Sequence, residues 1–157
     1  MTVSNPAHNT RIQFFRILNV RKKVDSMGKA FNNCGGFILP SGEKEKQILE
    51  QYKFIICFEN TASSHYLTEK LLFAYLHNAI PIYYGASIAC EWLNPKAFLY
   101  LENSSLDAMT KLIERIKELD QNEEEYKKMF QEPLLKAQKI PYDLSLEYII
   151  DHVKKIV

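Results

Sequence analysis

Apolar and polar positions follow two rhythms along this chain. Over residues 10–20, Ile12, Phe15, Ile17 and Leu18 gather on roughly one helical face, and Asn9 stands where it can cap that helix. Residues 24–42 hold four glycines, two asparagines and a proline, which predicts a connector with at most one short strand. A connector this long inside a compact domain is usually functional or mobile. A short polar-faced helix follows over residues 43–51.

The rhythm then alternates between strand and helix. KFIICF, residues 53–58, is a short apolar run and predicts a buried strand. ENTASSH, residues 59–65, is turn chemistry. Residues 66–78 place Leu67, Leu71, Ala74 and Tyr75 on one helical face, with Asn78 and Pro81 as stops. IPIYY, residues 80–84, predicts a second buried strand ended by Gly85. Strand, crossover helix and strand make a parallel βαβ unit, right-handed in nearly all cases. A short helix over 87–92 and a third strand over 97–101 continue the pattern. The amphipathic helix 106–119 turns Leu106, Met109, Leu112, Ile113 and Ile116 inward, with Ser104 and Asp107 offering a cap. Asn122 and Glu125 open another helix in the same way, its charged run a solvated face. Beyond Pro133 and Pro141, Asp143 caps a last helix over 144–156. The expected fold is α/β, a Rossmann-like three-layer parallel sheet.

Size and charge narrow the function classes. A chain of 157 residues suits one domain with a real core. Twenty basic against nineteen acidic side chains leave a net charge of +1, which argues against a generic nucleic-acid binder. With no apolar run of about eighteen residues and no basic-then-apolar start in MTVSNPAHNT, neither a membrane span nor a signal peptide is expected. Cys34, Cys57 and Cys90 are an odd, sparse set without zinc spacing, so a reducing cytoplasm fits, with Cys57 a buried inert thiol. His8, His65, His77 and His152 are scattered without metal or triad spacing. Asn103-Ser104-Ser105 matches a glycosylation triplet that is common by chance.

Candidate chemistry gathers where the first strand ends. Ligands of open parallel sheets bind beyond the carboxyl ends of strands. Asn60 and the first turn of the next helix, with Tyr66, Thr68, Glu69 and Lys70, meet there. A helix N-terminus attracts anions, and Lys70 adds a full positive charge that the helix dipole disfavours. An anionic ligand explains it; so does pairing with Glu69 or Glu59, while Thr68 and Glu69 also serve as plain capping residues. Arg11 is a second phosphate candidate or an exposed helix residue. Lys29, Asn32 and Asn33 among glycines either fold over a nucleotide or form a surface loop. Tyr83 and Tyr84 either stack on a base or pack into the core. Neither GxGxxG nor GxxxxGK[ST] occurs, so the residues alone lead to a phosphate-bearing ligand and no further.

The stretch YKFIICFENTASSHYLTEKLLFAYLHNAIPIYYGA, residues 52–86, resembles the signature region of the α-1,3/4-fucosyltransferases, bacterial lipopolysaccharide-modifying members above all. VSNPAHNTRIQFFRILN and NPKAFLYLENSSLDAMTKLIERI are similar to the family's flanking segments, so residues 2 to about 130 match. The resemblance implies transfer of L-fucose from GDP-fucose to a hydroxyl of N-acetylglucosamine or glucose. It implies a two-domain GT-B type fold of which this chain is the C-terminal, donor-binding half: one domain over 1–157, with 135–157 a helical extension and the acceptor domain absent. Arg11 and Lys70 match the phosphate-binding arginine and lysine; Asn60, Tyr66, Thr68 and Glu69 match the nucleotide or fucose contacts, and Lys29 stands where an arginine is common. Tyr84 replaces a frequent Trp. In the family the general base is a glutamate of the N-terminal half, so no catalytic residue is expected here and the isolated chain is expected to bind donor with little transfer. No cofactor is implied, and no nucleic acid partner. An orphaned domain interface would favour a homodimer, and a membrane-peripheral place in the cytoplasm is compatible with the family. The competing class is a non-catalytic nucleotide-sugar-binding or interaction module.

Overall fold

A computed structural model describes residues 9–29 and 31–136. Its centre is a three-stranded parallel sheet in the order β1-β2-β3, with β1 at Phe54–Ile56, β2 at Ile80–Tyr83 and β3 at Leu99–Tyr100. Phe54 lies opposite Ile80, and Ile82 opposite Leu99. The strands are shorter than their apolar runs, although the ladder continues past their ends: Cys57 N–H donates to Ile82 O at 2.9 Å and Glu59 N–H to Tyr84 O at 2.8 Å. Pro81 sits inside the central strand, a place normally closed to proline. Leu101 N–H donates to Tyr83 O, so the odd-numbered positions face β3, and β3 begins only opposite Ile82. The N–H that Pro81 lacks therefore has no partner to serve.

Alternate strand residues feed two cores. On one face Phe58, Ile80 and Ile82 pack with Phe14 and Leu18 of α1 (Asn9–Arg21) and with Met109, Ile113 and Ile116 of α5 (Leu106–Gln121). On the other face Ile55, Cys57 and Tyr83 pack with Leu49 of α2 (Glu43–Leu49), Leu71 and Ala74 of α3 (Glu69–Leu76) and Ala89 of α4 (Ala89–Trp92). The expected α/β three-layer arrangement is thus present, with α3 as the crossover that parallel pairing requires.

Helix ends differ from expectation for local reasons. Asn9 is the first helical residue of α1 rather than its cap. The helix expected from residue 66 starts at Glu69, because the Thr68 hydroxyl accepts the Lys70 N–H and extended backbone at Thr68 ends the loop. Asn78, at φ 55°, follows the His77 cap in the left-handed region that asparagine tolerates and stops α3 as expected. Ser105, not Ser104, caps α5 by accepting the Ala108 N–H at 3.2 Å. Asn122 caps α6 (Glu123–Phe130) as predicted. The connector before α2 has no regular element among its described residues; the side chains of Asn32 and Asn33 bond its backbone from Val24 to Phe37. The last helix expected from Asp143 lies outside the described residues, as does nearly all of the 135–157 extension.

Candidate functional site

Polar groups that the core excludes collect at the carboxyl end of β1. The first turn of α1 delivers Arg11 there, and α3 starts there with Thr68, Glu69 and Lys70. Arg11 is only 8% exposed. Its guanidinium donates to the Phe58 carbonyl and to Asn60 Oδ1, the latter at 3.0 Å. Burial pulls its pKa down from the usual arginine value, and the negative charge of Glu59 opposes that shift. The reading of Arg11 as an exposed helix residue is therefore excluded.

Glu59 is the group the sequence did not single out. It is 3% exposed, and its carboxylate accepts the Thr68 N–H and hydroxyl, each at 2.8 Å, and the Lys70 ammonium at 3.1 Å. Lys70 Nζ also donates to Thr68 Oγ1 at 3.0 Å and lies 3.6 Å from Glu69 Oε1. Lys70 against the helix dipole thus has an explanation inside the protein, the pairing with Glu59 that the sequence left open. Glu69 is exposed, and its carboxyl is lowered by its own backbone N–H and by Lys70.

Gly85 makes room for this carboxylate. A Cβ there would stand 2.5 Å from Glu59 Cγ and 2.6 Å from the Tyr83 hydroxyl oxygen. That hydroxyl accepts the Ala86 N–H at 3.1 Å, which turns the chain at the end of β2. Tyr83 is a core residue, and burial raises its phenol pKa. Cys57 is buried and its thiol is pushed up by burial, as an inert core thiol requires.

Two cavities meet at Arg11. One of about 250 Å³ is lined by Arg11, Glu69 and Lys70 together with Leu39, Leu49 and Phe73. The other, about 160 Å³, is lined by Arg11, Glu59, Asn60 and Tyr84. Arg11, Asn60, Thr68, Glu69 and Lys70 are thus brought to one place. Tyr66 is 44% exposed on the loop, its N–H on Ser63 O, and its ring is not part of the cluster. Lys29 is exposed, and no described hydrogen bond or ion pair joins it to Arg11 or Lys70. Among the described residues no group of three or more His, Cys, Asp or Glu is placed to hold a metal ion. His65 meets Ser64 and His77 meets the Phe73 carbonyl.

A model of the C-terminal part of glycosyltransferase family 10, the fucosyltransferases, matches residues 1–133. The chain belongs to this family. An α-(1,3)-fucosyltransferase of Helicobacter pylori is 38% identical over 96 residues, 61% of this chain and 19% of that protein. GDP-fucose protein O-fucosyltransferase 3 of Gallus gallus is 34% identical over 131 residues, 76% of this chain and 26% of that protein. A crystal structure of an α1,3-fucosyltransferase with GDP-fucose superposes with a TM-score of 0.83 at 32% identity, covering 99% of this chain and 45% of the other. The same comparison with a GDP complex gives 0.84 at 31% identity. The α/β fold is accordingly that of a family-10 C-terminal half, and the chain spans about a quarter or less of the length of these curated relatives. Among the described residues no helix is long and apolar enough to cross a membrane.

Proposed function

We propose that this family-10 chain is the donor-binding half of an inverting α-1,3/4-fucosyltransferase and holds the diphosphate of GDP-fucose between Arg11 and Lys70. One observation carries the reading: a buried guanidinium and a helix-start ammonium line the same cavity at the carboxyl end of a parallel strand. Family membership and the likeness to GDP and GDP-fucose complexes support the choice of nucleotide. Inversion at the sugar carbon drives charge onto the leaving diphosphate. Positioned cations and the positive end of α3 stabilise that charge as it builds. Asn60, Thr68, Glu69 and the nearby Tyr66 are the proposed nucleotide and sugar contacts, and Lys29 joins them if its connector closes over the ligand. Transfer also requires a base for the acceptor hydroxyl. That base is assigned to the part of the relatives lying beyond this chain, together with the choice of glycan hydroxyl.

Isothermal titration with GDP, GDP-fucose, UDP-sugars and ADP-sugars tests the reading. Binding of GDP and GDP-fucose, weakened about ten- to hundredfold by Arg11→Ala or Lys70→Ala, is the expected result. Binding of a UDP-sugar but not of GDP-fucose retires it. The second reading, a binding module without turnover, shares this pocket and differs only in turnover. Radiolabelled fucose transfer with and without an added N-terminal half separates the two.

A further inference from the structure

We propose that Glu59 is a positioning residue for the diphosphate site: it never touches the ligand, and it sets where the Lys70 ammonium stands. This rests on the donor-site reading above. A carboxylate with almost no solvent contact needs compensation for every lone pair it buries. Glu59 finds it in three donors from one short segment: the Thr68 N–H, the Thr68 hydroxyl and Lys70 Nζ.

The geometry makes the three interdependent. Thr68 donates its single hydroxyl hydrogen to Glu59, which leaves lone pairs on Oγ1 facing Lys70. Lys70 Nζ uses them at 3.0 Å and Glu59 Oε2 at 3.1 Å. An ammonium has three hydrogens. Two are thus committed to a rigid base; the third has only the exposed Glu69 carboxylate nearby, at 3.6 Å and beyond hydrogen-bond distance, and the side chain, 28% exposed and lining the cavity, keeps it for an anion. A lysine is otherwise a flexible point charge on a four-carbon stem. The Glu59–Thr68 base removes that freedom before the ligand arrives, so less ordering is needed on binding.

Two further features mark the carboxylate as built in. Gly85 leaves the space that Glu59 Cγ fills, and a Cβ there, 2.5 Å from that atom, would force the carboxylate to shift. Glu59 also lies close enough to Arg11 to raise that guanidinium's affinity for its proton against the pull of burial. One buried negative charge therefore faces both cations of the site. Its charge is offset by the Lys70 ammonium at 3.1 Å and by the nearby Arg11 guanidinium, so the site as a whole still presents positive charge to a diphosphate.

The test is a double-mutant cycle on the full chain, read by titration with GDP and with guanosine. Glu59→Gln keeps the shape and turns an amide toward Lys70. It is expected to lower GDP affinity about tenfold and to leave guanosine affinity unchanged, since guanosine has no phosphate. In the Lys70→Ala background the same change is expected to cost less than twofold, because Glu59 acts through the missing ammonium. If Glu59→Gln does not fold, Glu59→Asp replaces it; it keeps the charge, draws the oxygens back by one methylene and is expected to lose about threefold for GDP only. Wild-type GDP affinity in the folded variant, or an equal loss with Lys70 present and absent, overturns the positioning role while the donor site stands. Wild-type protein that ignores GDP overturns both.

Discussion

The two ends of the sheet use the same ionic chemistry in opposite ways. At the amino end, Lys22 and Lys53 both reach Asp120, and Arg21 meets Glu114, with most of these side chains well exposed. At the carboxyl end, Glu59 is sheltered and shares Lys70 with Thr68 beside a buried Arg11. Exposed pairs gain little, because water screens them and two long side chains must be held still. Sheltered charges cost several kcal/mol each unless fully partnered, so they persist where their partners are complete. The comparison teaches that the number of ion pairs says little. What separates a fastening from a site is whether the charge has been taken out of water.

Removing Lys70 should break the contrast most sharply. Lys70→Ala leaves the buried Glu59 without its ion pair, held by the two Thr68 donors with only Arg11 nearby, and is expected to cost about 2–4 kcal/mol in urea unfolding; adding Glu59→Gln should recover part of that loss. A cost below that of an exposed pair would erase the distinction. Gly85→Ala comes next, at about 1–3 kcal/mol, because the new methyl meets Glu59 and the Tyr83 phenol together.

A third, intermediate case lies at Asp25 and Tyr52, joined at 2.8 Å and partly buried. Burial first, then Asp25, pushes the Tyr52 phenol up from 10.0 to about 12. The folded state therefore favours the neutral phenol. Its stabilisation is complete below pH 10 and is lost as pH rises toward 12. The Tyr52 hydrogen bond, the largest influence on it, lowers Asp25, so the same contact also fades as acid protonates that carboxyl. Tyr52→Phe should cost about 1 kcal/mol at neutral pH and flatten the alkaline limb of a stability profile. The smallest effect belongs to Lys22→Ala, about 0–1 kcal/mol and shrinking further in salt. A thiol-reagent titration adds a control: the half-buried Cys34 should react in the native protein, and Cys57 only on unfolding.

Much of this contrast was legible beforehand, and the gaps have physical reasons. The parallel sheet followed from KFIICF, IPIYY and AFLYL because short apolar runs separated by helical faces leave few alternatives. Strand ends were overrun since apolarity continues into residues that bond without regular pairing. Thr68 and Lys70 were found from helix-end electrostatics, and Arg11 from its side-chain chemistry. Glu59 was legible only as one of two pairing partners open to Lys70, because a glutamate at a strand end normally faces solvent; only the fold shows that it turns inward under Gly85. A signal existed in retrospect: a carboxylate ending a buried strand, followed nine residues later by a threonine that caps a helix. Lys29 was named by sequence similarity, and it stands exposed on its connector with no described bond to Arg11 or Lys70.

The grip of Glu59 on Thr68 also ties together the two feet of the segment 60–67. A hairpin of chain fastened at its base can be rewritten at its crown. Insertions among residues 61–65 would add only about 0.6 kcal/mol of closure entropy for each doubling of length. Variation in the length and texture of that segment then comes cheaply to descendants of this scaffold, while its fastened base stays put.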